Sequence, residues 1–308
     1  MKSHTRRLLK VLFFALIILQ LIACKKEREE LFEIEEVVTM TAEESEEQQG
    51  GGEEEVTPEH VEYLFNEVIF QDNFDVDGEP DHSKWVLCPK RSSDWCKYMS
   101  ESYDQAYVSD GILYLVGEKV NGEYKAGGIK TEGKFAFTFG QVDVRARIPR
   151  HPDGNFPAIW MMPQTYIYSG WPNCGEIDIM EHIKQQAFIH QTIHSHYTYD
   201  LKYTSPTNTT TTTCNYDSDE NWVVYSVRWS PEEITFYVNY NKTFSYPNLH
   251  LDDEDNMKQW PFTKDASFYL ILNMGLGGSW AGGINDAGLP AVMEIDKVVV
   301  YKMTEIRG

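Results

Sequence analysis

The segment GEIDIMEH, from Gly175 to His182, constrains the fold more than any other part of the chain. Its Ile and Met residues favour a buried β-strand, although three acidic residues stand among them. Side chains alternate along a strand, which places Glu176 and Asp178 on one face. Glu181 would point to the other face unless a one-residue β-bulge at Ile179-Met180 restores the phase. We therefore predict a bulged strand that displays all three acids on one face.

This spacing is typical of a catalytic pair of carboxylates. With the bulge, the Cα atoms of Glu176 and Glu181 lie about 13 Å apart, and their side chains can lean together on a concave sheet. A separation of about 5–5.5 Å between carboxyl groups is what a retaining glycosidase requires, with one acid as nucleophile and one as acid/base. Asp178 stands between them and can tune their protonation. The alternative is a sheet face with three solvated acids, although like charges so close together cost free energy.

The N-terminus has the layout of a signal peptide. Four basic residues, Lys2, Arg6, Arg7 and Lys10, precede an apolar run at 11–23 that is too short to span a bilayer comfortably. The run ends in Leu21-Ile22-Ala23-Cys24, which resembles a bacterial lipobox. We predict that residues 1–23 are a lipoprotein signal peptide and that Cys24 is lipidated. The alternative is an ordinary secretory signal with an incidental cysteine.

An acidic linker follows, and residues 61–308 form the predicted catalytic domain. Residues 25–60 contain 14 Glu, no Asp and three basic residues, so the segment 24–60 is predicted to be a disordered tether. Residues 61–308 carry −14 of the formal net charge of −21. An acidic domain argues against nucleic acid or anionic lipid as a partner, and a neutral substrate fits best.

Residues 61–308 show many short alternating runs and no long amphipathic helical pattern, which predicts an all-β domain. The predicted strands are Ala106–Glu118 with a turn at Asp110-Gly111, Phe135–Pro149, Phe156–Met162, the Glu176 strand, Phe188–His194, Trp222–Trp229, Glu233–Asn239, Phe268–Met274 and Val292–Tyr301. This pattern indicates a β-sandwich of jelly-roll, concanavalin-like type, with two antiparallel sheets. A concave outer face would make a cleft for an extended glycan.

Four further cysteines follow Cys24, namely Cys88, Cys96, Cys174 and Cys214. An exported protein could pair them in three ways. The Cys88–Cys96 bridge closes the shortest loop, and Cys174 is a candidate for a buried free thiol. The sequence has no C-x-x-C spacing, which argues against a zinc or redox site.

The stretch from about Phe70 to Tyr301 resembles glycoside hydrolase family 16, in particular its laminarinase-like branch. The segments that carry the resemblance are GNFPAIWMMP at 154–163, WPNC at 171–174 before the acidic strand, QTIH at 191–194, YLILNM at 269–274, GGSW at 277–280 and MEIDKV at 293–298. The resemblance implies that Glu176 is the nucleophile and Glu181 the acid/base, while Asp178 hydrogen-bonds Glu176. It implies no cofactor for catalysis.

The resemblance also implies residues that bind substrate or metal. Trp160, Trp171, Trp280 and His194 match cleft positions of the family, and Arg145 is a candidate to orient the acids. The alternative for each tryptophan is a position in the core. The alternative for His194 is a structural role, and the alternative for Arg145 is a surface ion pair. Gly111 and Asp296 match a structural calcium site on the convex side, with oxygen ligands that suit the ion.

Several departures from the family pattern surround the predicted cleft. Phe156 stands where laminarinase-like members commonly have Trp, and Ser195 where another aromatic residue commonly follows the histidine. The loop 280–283 lacks a common Pro, and the insert Tyr197–Tyr216 has no counterpart. The first expectation is cleavage of β-1,3- or mixed β-1,3/1,4-glucan. The alternative is an endo-β-galactosidase acting on poly-N-acetyllactosamine or mucin-type O-glycans.

Two further expectations concern the class and place of the protein. A non-catalytic carbohydrate-binding protein would keep the tryptophans but would be expected to lose Glu176 or Glu181, and both are present. Transglycosylation would use the same covalent intermediate with a sugar as acceptor. The lipobox and tether predict a monomeric lipoprotein of the outer membrane at the cell surface, held only by its lipid, with a glycan as partner.

Overall fold

The computed structural model describes residues 61–148, 153–183, 186–203, 221–251 and 258–306, together with the backbone of 38–39, 211–215 and 307. The predicted signal peptide, Cys24 and most of the acidic linker lie outside these residues. The chain divides into two units, Met1–Leu64 with Glu305–Gly308, and Phe65–Thr304. In the first unit, strand β1 (Val38–Thr39) pairs antiparallel with the start of β2 (Val61–Asp72).

The remaining strands confirm an all-β fold. They are β3 (Val86–Leu87), β4 (Ala106–Ser109), β5 (Ile112–Val120), β6 (Glu123–Ala126), β7 (Gly128–Lys130), β8 (Gly140–Arg147), β9 (Asn155–Thr165), β10 (Glu176–Glu181), β11 (Phe188–His194), β12 (Thr211–Asn215), β13 (Val223–Trp229), β14 (Glu233–Val238), β15 (Asn241–Pro247), β16 (Ser267–Leu276) and β17 (Ala291–Arg307). Short helical turns lie at Asp94–Cys96, His196–Asp200 and Asp286–Gly288. No helix of the described residues is long and apolar enough to cross a membrane.

The strands form two antiparallel sheets packed face to face. The seven-stranded sheet has the order β12-β11-β10-β9-β16-β7-β3. The second sheet has the order β2-β17-β8-β13-β14-β15, with β5 pairing β17 and with β4 and β6 beside β5. The core between the sheets takes alternate residues from both, such as Met161 and Ile177 from the first and Val142 and Val144 from the second. The predicted β-sandwich is confirmed.

A second apolar cluster covers part of the outer face of the seven-stranded sheet. It joins Trp160 and Phe156 of β9 and Ile271 of β16 to Cys96 and Met99, which come from the segment around the Asp94–Cys96 turn. This segment therefore forms a wall over β9 and β16 and leaves the outer face of β10 beside it.

The sequence predicted the central strands well and the edge strands less well. The predicted strand at 135–149 begins only at Gly140, because Phe139 has φ 55° and breaks the extended backbone. Strands β1, β2, β3, β6, β7, β12 and β15 were not predicted. Six of them have seven residues or fewer, and β2 carries charged residues without strict alternation.

The structure contradicts the Cys88–Cys96 bridge. Cys88, Cys96 and Cys174 are all buried free thiols, and the prediction for Cys174 is confirmed. Burial raises the pKa of the Cys88 thiol above its ordinary value, so this thiol stays protonated. A short loop made the bridge plausible, but both side chains pack into the apolar cluster of the wall instead.

Candidate active site

Strand β10 contains the predicted bulge. Asp178 lies opposite Trp160 of β9, and Met180 lies opposite Ile159, so β10 has one extra residue over that step. The partner on the other side shows the same insertion, because Asp178 lies opposite Thr192 and Glu181 opposite His190. The bulge lets Ile179 and Met180, two consecutive residues, both enter the core. Glu176, Asp178 and Glu181 consequently share the outer face.

His194 lies close to two of the acids. Its Nε2 is 3.2 Å from Oδ2 of Asp178 and 3.7 Å from Oε1 of Glu176. His194 lies opposite Glu176 in the strand register, so β11 delivers it directly to the acids. Asp178 is 1% exposed, whereas Glu176 retains access to solvent through a side chain that is 16% exposed. A buried middle acid and a reachable outer acid suit a supporting role for Asp178 and a reacting role for Glu176.

The indole of Trp171 holds the Glu176 carboxylate. Its Nε1 donates a hydrogen bond of 2.9 Å to Oε2 of Glu176. Trp171 is 45% exposed, so part of its indole is accessible to a ligand. The predicted cleft position of Trp171 is thereby brought to the acids, and it combines a hydrogen bond to the nucleophile candidate with a free aromatic surface.

All three carboxyl groups have raised pKa values. Burial, followed by the charge of Asp178, raises the pKa of Glu176 to about 8. Burial raises the pKa of Asp178, and burial with the charges of Asp178 and Glu176 raises that of Glu181 well above its usual range. The cluster therefore holds fewer than three negative charges at neutral pH.

Hydrogen bonds and neighbouring charges distinguish Glu176 from Glu181. His194 and the Trp171 N–H lower the pKa of Glu176, whereas burial, the charge of Asp178 and a hydrogen bond with Asp178 raise it. Among the residues that the structure describes, no donor bonds to the Glu181 carboxyl, and its pKa is lowered only by the charge of His194. Of the two glutamates, Glu181 therefore holds its proton more strongly and Glu176 is the first to ionise, which is the order that a general acid and a nucleophile need.

A second aromatic group stands at the Glu181 end of the strand. Trp280 is 39% exposed, and its ring centroid lies 4.9 Å from that of His190 and 5.4 Å from that of Phe156. His190 lies directly opposite Glu181 on β11. Burial lowers the pKa of His190, which keeps this ring neutral beside the acid. The predicted position of Trp280 at the cleft is consistent with this geometry.

Tyr199 and His190 are site residues that the sequence reasoning missed. Tyr199 comes from the turn His196–Asp200, and its ring lies 4.5 Å from that of Trp171 and 5.7 Å from that of His194. Ser195 begins this turn, and its hydroxyl accepts a hydrogen bond from the Thr198 backbone N–H. The signal for His190 was present, since His190, Thr192 and His194 alternate along the partner strand. Tyr199 had no comparable signal, because it reaches the site only through an unusual single turn.

Trp160 does not lie on the open surface. It occupies the outer face beside Asp178, but it is only 7% exposed. Its Nε1 donates to Oδ1 of Asn273 at 2.7 Å, and Trp95 packs edge-on against it at 4.9 Å. The structure therefore places Trp160 in the packed base of the wall, and direct sugar stacking on this ring is not supported.

Arg145 does not orient the acids, and this prediction is wrong. It lies on β8 of the second sheet, where Val144 and Ala146 face the core and Arg145 faces outward on the opposite side of the sandwich. Its Nη1 donates to Oδ2 of Asp296, and its guanidinium lies 5.1 Å above the Trp222 ring. The alternating pattern around Arg145 could not tell which of the two sheets its strand joins.

The calcium site at Gly111 and Asp296 stays a prediction, and one contact of Asp296 disfavours it. Gly111 lies in the turn between β4 and β5, and Asp296 is a 3% exposed residue of β17. The Asp296 carboxylate already binds Arg145, so a calcium ion there would stand beside a guanidinium cation. Within the described residues, the group of three ligand-type side chains is Glu176, Asp178 and His194, whose ligand atoms lie within 4.8 Å of one another. This cluster is accounted for by the acid/base arrangement.

A two-sheet sandwich whose outer face carries aligned acids between exposed indoles defines a glycoside hydrolase of the two-carboxylate type. The model of the family described as "Glycosyl hydrolases family 16" matches residues 94–285, more than half of the chain. The protein belongs to glycosyl hydrolase family 16 and is an O-glycosyl hydrolase by class.

Known proteins of two specificities resemble the chain. It is 38% identical over 243 residues to keratan-sulfate endo-1,4-beta-galactosidase of Sphingobacterium multivorum, covering 77% of this chain and 55% of that protein. The chain thus spans about half the length of that relative. The structure of the laminarinase from Rhodothermus marinus matches this structure with a TM-score of 0.67 at 30% identity. The match covers 80% of this chain and 100% of the laminarinase chain. A second structure comes from work on endo-acting O-glycanases of the human gut microbiota that initiate mucin breakdown. It matches with a TM-score of 0.66 at 34% identity, over 76% of this chain and 98% of that chain.

Proposed function

We propose that the protein is a retaining endo-β-glycosidase that cleaves internal β-linkages of a largely neutral glycan. The observation that carries the proposal is the bulge of β10, which places Glu176, Asp178 and Glu181 on one face between the exposed indoles of Trp171 and Trp280. Two carboxyl groups and water suffice for this chemistry, so the proposal includes no catalytic cofactor.

The reaction proceeds in two displacements. The Glu176 carboxylate attacks the anomeric carbon while Glu181 gives its proton to the departing glycosidic oxygen, and the C–O bond to the leaving sugar breaks. A covalent glycosyl ester on Glu176 results. Glu181, now ionised, takes a proton from water, and the hydroxide displaces Glu176 from the anomeric carbon. Asp178 hydrogen-bonds Glu176, and His194 favours the ionised form of Glu176 before the attack and again after the ester is hydrolysed.

The first candidate substrate is β-1,3-glucan or mixed β-1,3/1,4-glucan. Its support is the likeness to the Rhodothermus marinus laminarinase, which spans the whole of that chain. Open indole faces at both ends of the strand, those of Trp171 and Trp280, can stack on the apolar faces of glucosyl units.

The second candidate is a galactose-containing glycan, either poly-N-acetyllactosamine or a mucin-type O-glycan. It is favoured by the 38% identity to the keratan-sulfate galactosidase and by the likeness to the O-glycanase structure. The altered positions Phe156 and Ser195 also favour it. Phe156 packs against Trp280, and Ser195 begins the turn that brings Tyr199 to Trp171, so both changes reshape the cleft beside the acids.

A product profile separates the two candidates. The purified protein is incubated with laminarin, mixed-linkage glucan, keratan and mucin O-glycans, and the released oligosaccharides are compared with those from a Glu176→Gln control. Oligomers from laminarin but not from keratan support the glucanase, and the reverse supports the galactosidase. If none of the four yields products, the proposal fails and the alternative of a non-catalytic carbohydrate-binding protein is favoured.

We also infer an exported lipoprotein of the outer membrane, exposed at the cell surface and monomeric. The support is the sequence of the N-terminal region, where a basic and apolar leader ends at Cys24 and an acidic tether follows. Labelled palmitate should enter the wild-type protein in bacteria but not Cys24→Ser, and external protease should remove the enzyme from intact cells. Incorporation into Cys24→Ser would contradict the lipidation, and a protected enzyme would contradict the surface location.

A further inference from the structure

The loop from Gly277 to Ile284 has two sides. On one side, Trp280 contacts His190 and Phe156 at the Glu181 end of the acidic strand. On the other side, the loop borders a separate cavity of about 370 Å³. A single short loop therefore joins the cleft to this cavity.

Backbone hydrogen bonds at Gly277 and Ala281 hold the loop in place. The Gly277 N–H donates to the Gly154 carbonyl at 2.7 Å, and the Gly154 N–H donates to the Ala281 carbonyl at 3.2 Å. Asp94 of the wall also holds the loop through two hydrogen bonds. Its Oδ2 accepts the backbone N–H of Ser279 at 2.7 Å and the Ser279 hydroxyl at 2.8 Å. The cavity wall thus exists before any ligand arrives.

The conformation of the loop requires glycine at position 278. Its φ is 126°, and a Cβ added there would lie 2.8 Å from the Asp94 carboxyl group. Only glycine lets the loop approach Asp94 so closely. The two hydrogen bonds from Ser279 hold the pKa of Asp94 below its usual range, so the carboxylate at the cavity is ionised at neutral pH.

The remaining lining is aromatic and cationic. Tyr98 and Tyr124 stand edge to face with ring centroids 5.5 Å apart, and Lys97 reaches over Tyr98. The Tyr124 hydroxyl is already used, since it donates to Asp286, which also pairs with Lys119. Lys119 lies over the Tyr124 ring, so the groups that the cavity offers to a ligand are the half-buried Tyr98 ring, the Asp94 carboxylate and the Lys97 ammonium group.

We propose that this cavity is a remote sugar-binding subsite that takes one neutral hexose or N-acetylhexosamine unit of the glycan cut at Glu176 and Glu181. A tyrosine face can stack on the C–H face of a pyranose, while Asp94 and Lys97 accept from and donate to adjacent hydroxyl groups. The volume lies within the range of about 300–1,000 Å³ that small-molecule sites occupy. The inference rests on the proposed function, and it adds a preference for chains long enough to extend past Trp280.

A neutral unit fits better than an anionic one. Asp286 is balanced by Lys119, and Lys97 faces the ionised Asp94, so the cavity offers no cation in excess. A sulfate or carboxylate on the sugar would approach Asp94 inside a domain that already carries a net charge of −14 over residues 61–308.

The test compares long and short ligands on variants of the cavity. Asp94→Asn and Tyr98→Ala are made in the full chain, with Tyr103→Ala as the matched control, because Tyr103 stacks on His82 away from the cavity. The ligands are heptamers and trimers of laminari-oligosaccharide and of unsulfated N-acetyllactosamine. Binding is measured by calorimetry on a Glu176→Gln background, and kcat and KM are measured on the parent enzyme.

The expected result is an approximately tenfold weaker affinity for the heptamer in Asp94→Asn and in Tyr98→Ala, with a matching rise in KM and an unchanged kcat. Trimer binding and the Tyr103→Ala control should stay at wild-type values. Equal losses for trimer and heptamer would overturn the subsite, as would unchanged heptamer affinity in both variants. Tighter binding of a sialylated N-acetyllactosamine heptamer than of the neutral heptamer to the Glu176→Gln protein would overturn the neutral class. If the parent enzyme cleaves no glycan, the proposed function fails, while the calorimetric arms still decide the subsite.

Discussion

Trp171 donates its indole N–H to Glu176, with 2.9 Å between Nε1 and Oε2. The bond ties an exposed ring of the cleft to the acid that must carry negative charge. It lowers the pKa of Glu176 against the effects of burial and of Asp178, which raise it. A residue proposed to stack on sugar thus also influences the charge of the proposed nucleophile.

Trp171→Phe should shift the pH dependence of activity. The change keeps an aromatic face but removes the donor, so the pKa of Glu176 rises and less of it is ionised at neutral pH. The acidic limb of the kcat/KM profile should move to higher pH, and kcat/KM at pH 7 should fall about tenfold. Trp222→Phe is the control, because Trp222 lies beside Arg145 on the other side of the sandwich. An unchanged acidic limb in Trp171→Phe would contradict this role of the bond.

Glu176→Gln should stabilise the protein at high pH. The folded state raises the pKa of this carboxyl from 4.5 to about 8, so between these values the folded chain keeps a proton that the unfolded chain has released. The free energy of unfolding therefore falls as the pH rises through this window, and the loss is complete above about pH 8. Glu176→Gln removes the loss, which should raise Tm at pH 8.5 and leave it nearly unchanged at pH 4.

The control for this prediction is Glu123→Gln, an exposed acid of β6. Its Tm difference from the wild type should not change with pH. Scanning calorimetry at several pH values provides the measurement. If Glu176→Gln raises Tm by the same amount at pH 4 and pH 8.5, the pKa of Glu176 is not raised in the folded state.

The buried thiols should be reduced in the native protein. Cys88, Cys96 and Cys174 are free, so a reducing agent should leave Tm unchanged. Alkylation should be slow in the folded state, because burial raises the pKa of Cys88 and Cys96, and fast after unfolding. Peptide mass spectrometry after alkylation in denaturant should find all three residues labelled. A peptide that links Cys88 to Cys96 would contradict the structure.

The pair formed by Arg145 and Asp296 should contribute to stability without a metal. Asp296 is 3% exposed and its carboxylate binds the Arg145 guanidinium, so Asp296→Asn leaves a partly buried cation without its counter-charge. The variant should lose about 3–5 kcal/mol of unfolding free energy, as is usual for one partner of a buried pair. Chelation of divalent ions should leave the wild-type Tm unchanged. A Tm that falls with chelator and recovers with calcium would restore the calcium site.

The chemistry of β10 could be predicted because one strand contains it. Side chains alternate along a strand, so Glu181 can share a face with Glu176 and Asp178 only if the strand contains a one-residue bulge. The apolar pair Ile179-Met180 indicated where that bulge lies. Both are local properties of the backbone, and the register with β9 and β11 confirms them.

Contacts between distant segments could not be predicted in this way. The donor to Glu176 comes from the loop before β10, and Tyr199 comes from a turn after β11. Arg145 shares the alternation of a cleft strand but belongs to the second sheet, because strand order is decided by packing across the whole sandwich. Similarly, the short spacing of Cys88 and Cys96 says nothing about the apolar wall into which both side chains fold.

The roles of Glu176 and Glu181 are the central claim, and chemical rescue by azide tests them most directly. Glu176→Ala and Glu181→Ala are each given azide and a 2,4-dinitrophenyl β-glycoside of the glycan that the product profile identifies. In Glu176→Ala, azide replaces the nucleophile and should yield the α-glycosyl azide. In Glu181→Ala, azide attacks the glycosyl ester on Glu176 and should yield the β-glycosyl azide. Proton NMR reads the configuration at the anomeric carbon, and azides of the reversed or the same configuration from the two variants would contradict the assignment.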